Sequence, residues 1–408
     1  MSIESHQTMK PVVDWIADHA EPLTDLRPLR SRTADAIVVG LGGNTYGAHE
    51  QFTVTDRALR YLVEELGFRS VATEEDWGVG LDIDRYVVSG EGDLDELMKG
   101  SNFPWRCQEM ADALRWMREF NMAHPDDPVR YVGVGAFDTR IPIYDAVAEY
   151  VGRVAPDRAA ELARHLDEIR PGRPHWTGWF ISQVKDKEPY VEHARQVLRL
   201  VESIPDNPLI VQHARQIVAF YEHYAFHLID DGYRDAKMAE NLCWWHDHTG
   251  SRIVYWSTSA HSAVASELKV YVPPRPELAF RTTGAHLRER YGQQYVSVGI
   301  TFDDGIVNSG WSMPPFTPRP LPAPATPADF AERPLGDVDL PEYLLDLHTA
   351  GPPAVEEWLR SPGKTRIIGS IYDPDNQPPA DYLMTGGSLA EWFDVIIHQQ
   401  KLSPTKVL

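Results

Sequence analysis

The chain has 408 residues, 43% of them hydrophobic, and a formal net charge of −21 at neutral pH. That apolar share is enough for a substantial core, which excludes disorder as the default. The acidic balance argues against nucleic acid and against anionic membrane surfaces as partners. Two cysteines, Cys107 and Cys243, make neither a disulfide scaffold nor a CxxC zinc pair. Met1 to His6 lacks a basic region followed by an apolar core, and no run approaches the ~18 apolar residues of a membrane-spanning helix. The expectation is a soluble cytoplasmic protein, monomer or homodimer, acting on a small molecule.

In chain order, Val12-Val13-Asp14-Trp15-Ile16 reads as a short helical piece within residues 11–30. The β-branched run Ala36–Val39 then enters a glycine-rich loop that reaches His49 and Glu50. Val54, Ala58, Leu59, Leu62, Val63 and Leu66 recur at helical spacing until Gly67 supplies a stop. A second strand over 70–73 ends in Glu74-Glu75-Asp76. Strand, loop, helix and strand in this order build a parallel sheet. Residues 80–104 read as helix and loop, 105–120 as helix and 129–134 as a third strand that leads to Asp138. From Tyr144 to His248 the signal is helical. Strands return at 252–256 and 294–300, the seven prolines of 314–327 predict an irregular crossing, and 366–369 and 394–397 are expected to close the sheet. The fold class is α/β, a mainly parallel central sheet with a helical second lobe, divided as 1–143, 144–250 and 251–408.

Open α/β sheets place ligands beyond the carboxyl ends of their strands, so polar residues there are the candidates for chemistry. Tyr46, His49, Glu50 and Glu74 come first. The loop lacks both GxGxxG spacing and the GxxxxGK[ST] lysine, which argues against a nucleotide site. Glu50 serves either a site or the positive end of its helix, and His49 is either structural or catalytic. Among the three adjacent carboxylates, Glu74 is expected to point inward while Glu75 and Asp76 are solvated. Asp138 joins Glu74 by its place after the third strand. Arg234 or Asp235, opening a helix, is placed to reach the site, and His261 follows the strand 252–256. Trp77, with Trp105, Trp176 and Trp179, is a candidate for an apolar pocket wall. His223 and His227 share a helical face, but no HExxH accompanies them, and His246 and His248 fall on different faces. No GxSxG is present, and Ser257 and Ser259 carry no mark of an activated nucleophile. No cofactor is expected. A divalent ion among Glu50, Glu74, Asp138 and His261 is left open, since no spacing compels one.

Taken together, Leu41–Glu50, the run Leu59–Glu64 leading to Gly67-Phe68, the strand ending at Glu74, Phe137-Asp138, Arg234-Asp235-x-x-Met238-Ala239-Glu240-Asn241, Trp256 through His261 and Phe393–His398 resemble the erythromycin esterase family. The resemblance implies an α/β core with a largely helical second lobe and a deep cleft. It also implies a histidine base, supported by carboxylates, that activates water to open a macrolide lactone. The family's first loop runs approximately Gly-Glu-x-x-His-Gly-x-x-Glu. Here the glutamate position is Gly43 and the histidine position is Tyr46, while Glu50 remains. The arginine expected on the next helix is Thr55, with Arg57 nearby, and of Trp-Ala-His-Asn-x-His only the final His261 is kept. A tyrosine with a reference pKa near ~10 is a hydrogen-bond donor or acid rather than a neutral-pH base. The favoured expectation is therefore an esterase-like enzyme of natural-product metabolism repurposed for non-hydrolytic acid–base chemistry (cyclisation, elimination or isomerisation). In it Glu74 or His261 is the base and Tyr46 the acid or oxyanion donor. Hydrolysis of an ester or lactone and non-catalytic metabolite binding are the alternatives.

Overall fold

The computed structural model describes residues 3–205, 207–228 and 232–408, with side chains from Met9 onward. Met1 and Ser2, part of the segment inspected above for a leader, lie outside the described residues. The strands among the described residues number thirteen: β1 Glu21–Pro22, β2 Val38–Gly43, β3 Ser70–Asp76, β4 Arg130–Gly135, β5 Ile253–Thr258, β6 Leu268–Tyr271, β7 Leu278–Phe280, β8 Tyr295–Ser309, β9 Arg319–Ala323, β10 Glu342–Asp346, β11 Thr365–Arg366, β12 Leu383–Thr385 and β13 Val395–Leu402. The main sheet runs β1-β10-β13-β8-β2-β5-β3-β4, and its six strands from β13 to β4 are parallel neighbours. β1 and β10 continue it antiparallel at one edge.

Alternation along the strands sorts the core onto two faces. Val39, Leu41, Val71, Tyr131, Val254 and Trp256 pack against the helices His49–Leu66, Trp77–Ser89 and Gln108–Ala123. Val38, Ala72, Val132, Val134 and Tyr255 turn the other way, against helices that span Ile141–Thr249. Among the described residues between β4 and β5 there is no strand, so the long helical signal in the sequence corresponds to one helical layer over that face. Each fully buried Val, Ile or Leu in these layers contributes roughly 1.5–3 kcal/mol. Close packing also fixes two glycines: a Cβ on Gly80 would lie 2.2 Å from the backbone nitrogen of Gly133, and one on Gly133 2.2 Å from the carbonyl oxygen of Asp76, so only glycine lets this helix rest on β4.

Several sequence expectations are corrected. The first helix runs Ile3–His19 rather than over a short piece. The proline-rich stretch contains β9, which pairs antiparallel with β8. Pro320 and Pro322 are tolerated because β9 is an outer strand and its intervening residues supply the backbone donors. Arg366 does not close the main sheet: β11 belongs to a second sheet, β11-β12-β6-β7, which is antiparallel throughout. The Arg366 guanidinium instead reaches the fully buried Glu332 at 2.7 Å, and this buried charge decides where the segment goes. β6, β7, β10 and β12 carried too short an apolar signal to be expected.

Candidate active site

The carboxyl ends of β3 and β5, the loop after β2 and the start of the helix Tyr233–Thr249 meet at a cavity of about 260 Å³. Its polar wall holds Tyr46, Glu74, Arg234, Thr258 and His261. Glu74 is only 6% exposed. Its Oε1 accepts a hydrogen bond from the Thr258 backbone N–H at 2.9 Å, where β5 ends beside β3. Its Oε2 lies 3.5 Å from Nη2 of Arg234 and 3.7 Å from Nε2 of His261. The Arg234 guanidinium stacks over Phe137 at 4.0 Å, which holds it edge-on to the carboxylate.

His261 is held from behind. Its Nδ1 is 3.0 Å from both oxygens of Asp235. An ionised carboxylate only accepts, so Nδ1 carries the proton and Nε2 is turned toward Glu74. Asp235 is fully buried, yet its Oδ1 accepts hydrogen bonds from the Thr283 N–H at 2.7 Å and the Thr283 hydroxyl at 2.9 Å. It lies in the first turn of its own helix and at the start of the helix Thr283–Tyr291, where partial positive charge favours an anion. Burial works to lower the pKa of His261, but the Asp235 and Glu74 carboxylates outweigh it and hold the imidazole above its ordinary value.

Tyr46 faces the same set. Its ring packs edge-on against Trp105 with centroids 4.9 Å apart, and its buried hydroxyl sits beside the Glu74 carboxylate without a hydrogen bond of standard geometry. Burial first, and then the nearby Glu74 charge, push this phenol well above its ordinary pKa, leaving a neutral donor aimed at the cavity. Gln51 occupies the space beside Gly43. A Cβ on Gly43 would meet Oε1 of Gln51 at 2.9 Å. That amide is already committed: it accepts from Thr45 N–H at 3.1 Å and donates to the Ile300 carbonyl at 3.2 Å.

Five of the sequence-predicted residues thus come together: Tyr46, Glu74, Arg234, Asp235 and His261. The others do not. His49 is 2.8 Å from Glu109 and part-exposed, while Glu50 accepts hydrogen bonds from the N–H and hydroxyl of Ser403. Glu109 in turn accepts from Lys406 N–H at 3.1 Å, so this charged helix start clamps the C-terminal tail. Trp77 is 1% exposed, and its indole N–H donates to His213 at 3.1 Å in the core. Asp138 lies in a separate groove, where Oδ1 accepts from the Thr177 hydroxyl at 2.6 Å and Oδ2 is 3.2 Å from Arg140. Arg57 pairs with Glu342 at 2.7 Å, away from the cavity. Trp105 supports Tyr46 from below, whereas Trp176 lines the Asp138 groove and donates to Tyr221.

Glu75 and Asp76 are buried, not solvated. Glu75 caps Asp76 N–H and both nitrogens of Asn102, and Asp76 accepts from Gly78 and Asp138 N–H groups. Burial pushes Glu75 up to about 7 and Asp76 up to about 8. Glu50 and Asp138 being engaged elsewhere, the four residues considered for a divalent ion do not assemble. Among the described residues no three His, Cys, Asp or Glu side chains gather in a metal-holding group. Thr283 and the apolar wall described below escaped sequence reasoning. The Thr-Thr pair before a helical run was a visible capping signal, but nothing in it named Asp235 as its partner.

With this geometry in view, the known proteins decide the family. The family model described as Erythromycin esterase matches residues 63–402. The chain belongs to the erythromycin esterase family. A Bacillus subtilis relative that carries the name "Putative hydrolase YbfO" is 23% identical over 97% of this chain and 92% of its own length. Among solved structures, a Bacillus cereus protein superposes with a TM-score of 0.83 at 26% identity, covering 99% of both chains. A mutant of the erythromycin esterase EreC in its open conformation gives a TM-score of 0.69 at 16% identity, covering 93% of this chain and 94% of that one. This last likeness is one of fold.

Proposed function

We propose that this erythromycin esterase family member is a hydrolase of a small-molecule ester or lactone, with Glu74, His261 and Tyr46 as its catalytic residues and Asp235 as the positioning residue behind His261. The carrying observation is the buried series Asp235–His261–Glu74, whose 3.7 Å gap lines the cavity together with the buried Tyr46 hydroxyl beside Glu74. Glu74 takes a proton from water as the water oxygen bonds to the carbonyl carbon. The oxyanion accepts a hydrogen bond from Tyr46. As the carbon–oxygen bond to the leaving group breaks, the His261 imidazolium gives its Nε2 proton to the departing alkoxide. Transfer of the proton from Glu74 to His261 across the gap then restores the starting state, leaving acid and alcohol. Glu74 is thereby the base, and the Tyr46 phenol, too weak an acid to ionise, supplies charge stabilisation.

A second reading keeps the same groups and omits water. Tyr46 and Gly43, standing where the family carries a histidine and a glutamate, favour a non-hydrolytic proton transfer on a natural-product-like substrate. One experiment separates the two: turnover in ¹⁸O-labelled water with mass detection of products, for the parent protein and for Glu74→Gln and His261→Ala. Hydrolysis puts label in the acid product, and each variant loses roughly 10²–10⁴-fold in rate. Unlabelled product would move the assignment to the non-hydrolytic reading, and undiminished turnover by both variants would remove these residues from the mechanism.

A further inference from the structure

Opposite the polar set, the same cavity is walled by the small antiparallel sheet and the segment that follows its edge strand β11: Val270, Leu278, Phe280, Ile367, Ile368 and Ile371. Val270 and Leu278 face each other across the β6–β7 ladder, and the Phe280 ring lies 6.1 Å from His261, so apolar surface begins directly beside the reacting groups. The wall is firmly set. The buried Arg366 that precedes Ile367 pairs with Glu332 and donates to the Phe302 carbonyl and the Thr326 hydroxyl. The Ile368 N–H donates to Asn44 O at 2.8 Å, tying the wall to the loop that carries Tyr46. Toward the helical layer, the Arg234–Phe137 stack stands between this cavity and the groove of Asp138.

Two physical quantities then bound the substrate. The space of about 260 Å³ lies below the roughly 300–1,000 Å³ of pockets that enclose drug-sized ligands. Its non-reacting side offers aliphatic and aromatic carbon, with Arg275 and Trp311 only toward the loops. A sugar-bearing macrolide presents many hydroxyls and far more bulk than this wall admits. Resting on the hydrolytic reading above, we propose that the substrate is a compact, predominantly apolar ester or lactone whose hydrocarbon part packs on Val270, Leu278 and Ile367.

The test is a series of p-nitrophenyl esters of straight-chain acids from two to twelve carbons, with erythromycin in parallel, assayed on the full chain. The expected kcat/KM rises about fourfold per methylene over the short acids, the factor that burial of one CH₂ contributes, and then collapses once the cavity is full. Val270→Trp shifts the optimum toward shorter acids, read as the ratio of long- to short-chain rates; Leu278→Phe serves if that variant fails to fold. A rate that is flat or still rising at the longest acid, an optimum that both folded variants leave in place, or preference for erythromycin would overturn the substrate class while leaving hydrolysis intact. If no ester turns over, calorimetry with the free carboxylates of the same series decides. Chain-length-dependent binding that is lost in Val270→Trp supports the apolar cavity and retires the hydrolytic reading. Absence of any such binding overturns the cavity assignment too.

Discussion

Glu74 and its neighbours Glu75 and Asp76 leave the same strand, are all buried, and yet live in different electrostatic worlds. Glu74 faces Arg234 and His261 across a cavity, with one oxygen held by a backbone N–H. Glu75 and Asp76 are caged chiefly by backbone N–H groups and the Asn102 amide, with no ion pair among the described residues, Arg140 and Arg106 acting on Glu75 only from farther away. Burial consequently drives the second pair up to about 7 and 8. A carboxylate that meets charge and open space can work on a substrate, whereas one enclosed by dipoles organises chain. The pair also makes stability depend on pH.

The strongest way to break this contrast is to neutralise Glu74. Glu74→Gln should lower kcat/KM by roughly 10²–10⁴-fold while thermal melting stays within a few degrees of the parent, measured by steady-state kinetics and circular dichroism. A loss of fold equal to the loss of rate would place Glu74 with its neighbours. Next in size is Asp235→Asn, which removes the largest charge supporting the His261 imidazolium. In the proposed mechanism His261 is the acid, so activity falls as pH rises through its folded pKa. In the variant that alkaline limb should move to lower pH, and an unmoved limb would disconnect His261 from it. Tyr46→Phe should cost about tenfold in kcat, the value of one hydrogen bond, and little in stability, because the hydroxyl makes no hydrogen bond of standard geometry in the free protein.

Asp76 sharpens the comparison from the other side. Its folded pKa is raised, so the neutral acid favours the native state. That contribution is complete below the unfolded value near ~4 and is lost as pH rises toward about 8. The parent should therefore melt at progressively lower temperature over that window, and Asp76→Asn should flatten the decline. An equal slope in both proteins would mean that Asp76 is ionised in the folded chain at neutral pH. The smallest effect is expected for His49→Ala: less than a threefold change in rate and at most about 1 kcal/mol of stability, as for other part-exposed ion pairs.

Much of this architecture was legible because it rests on local patterning. The β-branched runs at 36–39, 70–73, 129–134 and 253–256, the helical spacing after Glu50 and the helix-rich middle follow from periodicities that burial on two sheet faces imposes. The parallel topology then marked Glu74 and His261 by their places after strands. Position along a strand end, however, does not say what a side chain meets. Trp77 is one residue beyond the carboxylate run and enters the core, while His49 and Glu50, three and four residues after Tyr46, turn to a C-terminal tail more than 300 positions away. Gly43 and Tyr46 were visible in the first loop; that Gln51 fills the space beside Gly43 was not.

What the sequence by itself determined is the family, the sheet and the presence of a carboxylate and a histidine at its carboxyl edge, since each depends on residue type at short range. Only the tertiary structure decided that Asp235 orients His261, that Thr283 cradles Asp235 and that a second sheet supplies an apolar wall. Those contacts join segments tens to hundreds of residues apart, and their strength comes from burial and mutual geometry, which no local pattern encodes.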